Sequence, residues 1–419
     1  MGLWRWTVVF LIAAACGSKG GVGTPSGSGG RGAGGQDSAT GGTGSGGGSA
    51  TGGSAGAAAG GGGATAASGG VGAGSGGTAG TGEGGSTGDA GTDTAATPDG
   101  GAPPVALVWR SVTVPGLDSS GVSAIWGVGT SELYVGTYNG NLFHRVGATW
   151  TKASSSSLQI DWIWGSGSGD VYTGEGGRSA SIAKLRHSTG NDVWTPVVLP
   201  TEYTVIRGIW GPSANEVFVA AGVWSTGLGA ILHLKNGAWT AEPTGQHILN
   251  RVWGSSATDI YAIGSDGETL YHSDGAGTWS NQRVGYGRWM YGLWGSGPGD
   301  VYAVISPDLV NQGNAFIAHG SANKPWTLEH GLYVEELMAV WGSGPRDVYV
   351  GGRTLAEDSA RTKAVLYRST GDGQWSPVAL PAAAGSTSLI KAVWGSSASD
   401  VYLGGFATTG PLLLHGTPN

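Results

Sequence analysis

The dipeptide Trp-Gly recurs at Trp126, Trp164, Trp210, Trp253, Trp294, Trp341 and Trp394. Six residues after each tryptophan stands an acid: Glu132, Asp170, Glu216, Asp259, Asp300, Asp347 and Asp400. Seven copies of one spacing describe a building unit, not a site. The intervals between successive Trp-Gly pairs are 38, 46, 43, 41, 47 and 53 residues, which suits four-stranded propeller blades. Each copy divides into four short β-type runs, in the fourth copy NRVWG, DIYAIG, TLYHS and TWSNQRV, separated by Gly, Ser and Asp clusters that mark turns. No sustained helical period appears. Sheets repeated around an axis hide both faces against their neighbours. The expected fold is therefore all-β: a seven-bladed β-propeller of four-stranded antiparallel blades.

A second tryptophan closes six of the copies, at Trp150, Trp194, Trp239, Trp279, Trp326 and Trp375, whereas the seventh ends in LLLHGTPN without one. The segment ALVWRSVTVP around Trp109 reads like DVWTPVVLP around Trp194 and GQWSPVALP around Trp375. It is expected to supply the outermost strand of the last blade, removing the free edges of an open array. Fourteen of the nineteen tryptophans are then structural, seven inner and seven outer. The Gly after each inner Trp permits a tight turn or close backbone approach, and the acid is expected to accept turn N–H bonds. His144, His187, His233, His272, His319 and His415 share one place in the third strand, where the sixth copy has Arg368. Recurrence in six blades assigns them to the scaffold.

Residues 1–15, MGLWRWTVVFLIAAA, carry one basic residue and an apolar run too short to cross a bilayer, which reads as an export signal. Ala13-Ala14-Ala15-Cys16 resembles the lipobox of bacterial lipoproteins, with Ala where Leu is usual. This resemblance implies a diacylated Cys16 and a place in the cell envelope, as an outer-membrane or surface lipoprotein; signal-peptidase cleavage and secretion is the alternative. Cys16 is the only cysteine, so the fold stands without disulfides. Residues 16–103 are rich in Gly, Ser and Ala and nearly devoid of large apolar side chains; such a stretch is expected to stay disordered and act as a tether. The propeller domain is assigned to residues 104–419. It carries 18 basic and 23 acidic residues, which argues against nucleic acid as a partner. No signature for zinc, a nucleotide or haem is present, and no metal or cofactor is expected.

The first-to-second strand turns keep one length in every copy, whereas the second-to-third loops run from TYNGN in the first copy to GRTLAEDSARTKA in the sixth. Variable loops on a rigid frame are where binding residues usually sit. The candidate binding residues on that face are Trp162, Trp224, Trp289, Glu175, Arg178, Arg288, Asp308, Arg353 and Arg361. An indole there suits stacking on a sugar or anchoring in a protein. For Trp162 and Trp289, filling gaps at the central channel is the competing reading.

So divided, residues 104–419 resemble the tandem-repeat propellers of exported bacterial proteins, with VWGSGP-DVYVGG-type repeats as in myxobacterial lipoproteins. Ser273 to Trp279 is similar to the Asp-box turn of sialidase-like propellers, and Thr189-Gly190 to Trp194 resembles the T-G-x-x-x-W turn of quinoprotein-type propellers. The resemblance implies architecture and leaves activity open. The expected role is a monomeric, non-catalytic binding scaffold, lipid-anchored and presenting one face to a glycan or protein. The alternatives are a glycosidase-like hydrolase using acids such as Asp161, Glu175, Asp308, Glu335 and Glu336 at the channel, and an envelope-assembly platform.

Overall fold

The computed structural model describes residues 105–176, 182–245, 247–285, 289–306, 314–333, 335–354, 362–384 and 388–419. The expected signal, Cys16, the tether and the candidates Arg178, Arg288, Asp308 and Arg361 lie outside the described residues. Seven four-stranded antiparallel sheets follow one another in chain order. Their spans are 122–155, 159–196, 205–245, 249–283, 289–333, 335–377 and 389–417, here blades 1 to 7. Within each blade the strands run outward in sequence, and the first strand carries the Trp-Gly pair.

Blade 7 is completed by the strand Val108–Ser111, which pairs antiparallel with Gly410–Thr417. Trp109 stands opposite Gly416 and Ser111 opposite Leu414. The Val112 N–H extends the pairing by donating to the Leu413 carbonyl at 2.9 Å. The join between the two ends of the fold thus falls inside a sheet, where hydrogen bonds and an indole hold it.

The recurrence of Trp-Gly has a direct cause in the packing. The far edge of each inner indole lies over the glycine of the next blade: Trp126 over Gly165, Trp164 over Gly211, Trp210 over Gly254, Trp253 over Gly295, Trp294 over Gly342 and Trp341 over Gly395. Trp394 of blade 7 lies over Gly127 of blade 1 and closes the circle. A β-carbon at any of these glycines would fall 2.6 to 3.0 Å from the indole, a separation that close-packed atoms do not tolerate. Trp and Gly are thus a complementary pair acting between blades.

The outer tryptophans repeat the device further from the axis. Trp194, Trp239, Trp326 and Trp375 each set an edge against the second-strand tyrosine of the preceding blade: Tyr134, Tyr172, Tyr261 and Tyr302, at centroid distances of 6.1 to 6.5 Å. Trp109 does the same to Tyr349 of blade 6, 6.5 Å away. The closing strand therefore reproduces a contact that blades 2, 3, 5 and 6 make within one continuous repeat. Edge-to-face pairs add to the large apolar burial of each ring.

The recurring acids do something other than cap turns. In blades 2, 4, 5, 6 and 7 the aspartate accepts a hydrogen bond from the serine hydroxyl four residues before it, as in Ser166 to Asp170 at 2.6 Å and Ser396 to Asp400 at 2.6 Å. Its other oxygen meets the third-strand histidine, 2.7 Å from His187 in blade 2 and 2.7 Å from His415 in blade 7. Arg368 takes that place in blade 6, 2.6 Å from Asp347. Blades 1 and 3 have Val128 and Pro212 where the serine would be, and there the acid is the longer glutamate. Each imidazole, or guanidinium in blade 6, also lies on the second-strand aromatic ring, 4.0 Å from Tyr134 in blade 1 and 4.1 Å from Tyr302 in blade 5. Ring stacking and a carboxylate together fix three adjacent strands, which is why these residues recur.

In blade 5 His319 reaches Asp300 at 2.6 Å and Glu329 at 2.6 Å. Burial opposes its charge, but bonds to the two carboxylates outweigh it and hold the imidazole at about 9. Because that value lies above the ordinary 6.5, the charged pair stabilises the fold fully below pH 6.5, and this contribution is lost as pH rises towards 9. Thermal melts of the wild type and His319→Gln between pH 6 and 9.5 check this. The gap between their melting points is expected to narrow over that interval; parallel curves would mean that His319 is neutral throughout.

Candidate functional site

All seven inner strands carry a β-bulge three residues before the tryptophan, at Ser123, Asp161, Arg207, Asn250, Tyr291, Met338 and Lys391. A bulge re-aims a side chain that would otherwise follow the alternation of the sheet. These positions lie at the start of the inner strands, just after the connections between blades. The second-to-third hairpins reach the same end of the molecule, where the Trp224 N–H donates to Thr204 Oγ1 at 2.8 Å. Whereas the motif positions around them repeat, these seven differ in chemistry from blade to blade.

Three cations gather there, each against an aromatic ring. The Arg207 guanidinium lies 5.2 Å from the Trp224 ring centroid, Arg251 lies 4.3 Å from Trp162, and Lys391 Nζ lies 5.5 Å from Tyr291. Such contacts favour the charged form over the ring face. Asn250 ties three blades together: its Oδ1 accepts from Arg207 Nη1 at 2.6 Å and its Nδ2 donates to the Met290 carbonyl at 2.6 Å. Arg251 Nη1 donates to the carbonyls of Arg207 and Asn250 at 3.0 and 2.6 Å.

Among the described residues the negative groups at the mouth are Asp161, which accepts from Gln159 Nε2 at 2.7 Å, and Glu336, bound by Arg353 at 2.7 Å. Burial first, then Arg207, lowers the Arg251 guanidinium from its ordinary value against the pull of Asp161; a guanidinium still remains protonated. Burial and then Arg251 bring the Lys391 ammonium down to about 7, again against Asp161, with Arg207 and Glu336 acting in opposite senses. Part of the Lys391 surface stays open to the channel, where water softens that shift.

Below the mouth the seven inner indoles line a cavity of about 60 Å³, together with Trp162, Arg251, Met338 and Lys391. The indole N–H groups of Trp164 and Trp210 are buried and find no acceptor among the described residues. Nor do the described residues hold a group of three or more His, Cys, Asp or Glu placed to bind a metal.

The candidates read from the sequence divide as follows. Trp162 fills space at the channel: its Nε1 donates to the Ile209 carbonyl at 3.0 Å and its ring is covered by Arg251. Trp289 is half-buried and stacks on Tyr291, with ring centroids 6.5 Å apart. Trp224 alone of the three is an exposed indole. Glu175 was expected on an accessible loop, but the second strand of blade 2 extends through Asp170–Gly176 and buries it completely. There it is paired with Arg186 and accepts from Thr173 at 3.1 Å. Arg353 is spent on Glu336. Sequence reading missed Arg251, Asn250, Tyr291 and Lys391. The available signal for Asn250, Tyr291 and Lys391 was the position three places before each inner tryptophan, which varies while its neighbours repeat; Arg251, two places before Trp253, had none.

No protein-family model matches the chain, and no curated relative matches it. Among solved structures it is similar to YCF48 bound to a D1 peptide, with a TM-score of 0.56 and 13% identity, covering 75% of this chain and 98% of that one. It is also similar to virginiamycin B lyase from Staphylococcus aureus, with a TM-score of 0.55 and 9% identity over 75% of this chain and 100% of that one. A third is the WD40 propeller of Doa1, with a TM-score of 0.56 and 12% identity over 75% and 98%. The likeness is one of fold. Binding proteins and a lyase share this architecture, so the chemistry has to be read from this chain's own residues.

Proposed function

We propose that the protein is a non-catalytic binding scaffold, exported and lipid-anchored through Cys16, that presents the channel-mouth face to a protein partner. The observation that carries this reading is the contrast between the two ends of the propeller. At the Trp-to-acid end, side chains are consumed by the repeat's own serine, acid and histidine bonds. At the other end stand residues that the repeat does not use, with Trp224 36% and Leu228 51% exposed on one hairpin beside Arg207. Trp and Arg are among the residue types enriched at the hot spots of protein interfaces. The structure of YCF48 with a D1 peptide gives a propeller of this shape with a peptide bound. Glu175 and Glu336, two of the five acids that could serve a hydrolase, are each engaged by an arginine.

Photocrosslinking from position 228 of the full-length protein, in its own envelope, tests the proposal. The expected product is a discrete protein adduct, whose recovery falls roughly 10- to 30-fold in Trp224→Ala with no change in melting point. An adduct that is carbohydrate, or one indifferent to Trp224, overturns the protein-partner reading. Metabolic labelling with a fatty acid, lost in Cys16→Ser, checks the anchor.

A further inference from the structure

We propose that the channel mouth is a binding site for one small oxyanion, a carboxylate or phosphate group, held by Arg207, Arg251 and Lys391. Three cations converge from blades 3, 4 and 7, and the bulges direct two of them, Arg207 and Lys391, out of the sheet pattern. Among the described residues the acids facing them are Asp161 and Glu336, and Arg353 already neutralises Glu336. Among the described residues the mouth therefore carries an excess of positive charge, inside a domain whose overall balance is acidic. Like charges are not brought together inside a fold without a counter-charge, because burial and mutual repulsion both raise their energy.

The surroundings suit an anion rather than another cation. Arg251 is 6% exposed and spends Nη1 on two carbonyls, and a guanidinium has five donors. Asn250 holds Arg207 in place beside it by accepting from Nη1 at 2.6 Å. The N–H groups of Trp164 and Trp210 add buried donors around the cavity. A void holds one water once about 10–15 Å³ is available to it, so about 60 Å³ admits several waters or one small polyatomic ion. Clefts with low-dielectric walls and one sign of charge also concentrate the opposite ion.

The oxyanion has two sources: a free ion, or an acidic group of a partner docked on the loop face. Only the second rests on the function proposed above. Isothermal titration of the full chain with sulfate, and separately with acetate, tests the site without any partner. Saturable one-to-one binding of sulfate is expected at pH 6.5, weakened at least tenfold in Lys391→Met and in Arg207→Gln. Sulfate keeps its charge between pH 6 and 8.5, so binding by the wild type is expected to weaken above pH 7, by up to about tenfold per pH unit as the ammonium titrates. That slope should vanish in Lys391→Met. Absence of saturable binding, or binding as tight in both variants as in the wild type, overturns the proposal. If sulfate binds and also releases the crosslinked partner of the loop face, the anion is a group of that partner. If it binds and leaves that adduct unchanged, the site serves a free ion.

Discussion

Gly165→Ala is expected to destabilise the propeller by about 3 kcal/mol or more, at the upper end of the range for overpacking a core. The new methyl group would sit 2.6 Å from Trp126 Cη2 and closer still to the Asp170 carbonyl oxygen. Relief needs either a shift of the strand or a swing of a buried indole whose own neighbour is the next step in the circle. The hydrogen-bonded backbone of blade 2 resists the first, and the ring of indoles resists the second. Gly297→Ala supplies the control, since a methyl there meets nothing within 4 Å and should change stability by no more than ~0.5 kcal/mol. Urea unfolding of the two variants side by side decides the matter. Equal midpoints would mean that the indoles slide freely between blades.

Loss of the closing strand is the second large effect. Trp109 is 7% exposed, packs over Gly416 and sets its edge against Tyr349 of blade 6. Trp109→Ala is expected to cost about 3 to 5 kcal/mol, as for other buried Trp truncations. Deleting residues 105–111 goes further, because it strips Gly410–Thr417 of its pairing partner. An unpaired strand edge is a template for another chain, so the deleted protein should self-associate as well as melt earlier. Sedimentation and thermal melts read the two consequences independently. A deletion variant that stays monomeric and melts with the wild type would show that the circle is not held at this seam.

The architecture was legible because it is written in repeats. The seven Trp-Gly pairs gave the blade count, and the lone Trp109 paired with a copy lacking its own outer tryptophan gave the closure. What the sequence hid were relations between residues that sit on different strands. The acid of each blade was read as a turn cap, since a turn is its nearest neighbour in the chain; its partner is a third-strand histidine, or Arg368 in blade 6, brought over by the sheet. Glu175 looked like a loop residue because nothing in TGEGG marks where the strand stops, and the strand runs on to Gly176. The cationic mouth was harder still. Arg207, Arg251 and Lys391 lie in three different blades, far apart in sequence, and the bulges that re-aim Arg207 and Lys391 break the alternation by which a facing side chain is predicted.

Val108 stands directly opposite Thr417, so the two ends of the fold lie side by side. The indole-on-glycine contacts run unbroken across that junction. A circular permutant with these ends linked, and cut instead at the third-to-fourth hairpin of any other blade, would present the same surface to the same ligand. Polypeptide connectivity here decides where synthesis starts but leaves the finished object without a first blade.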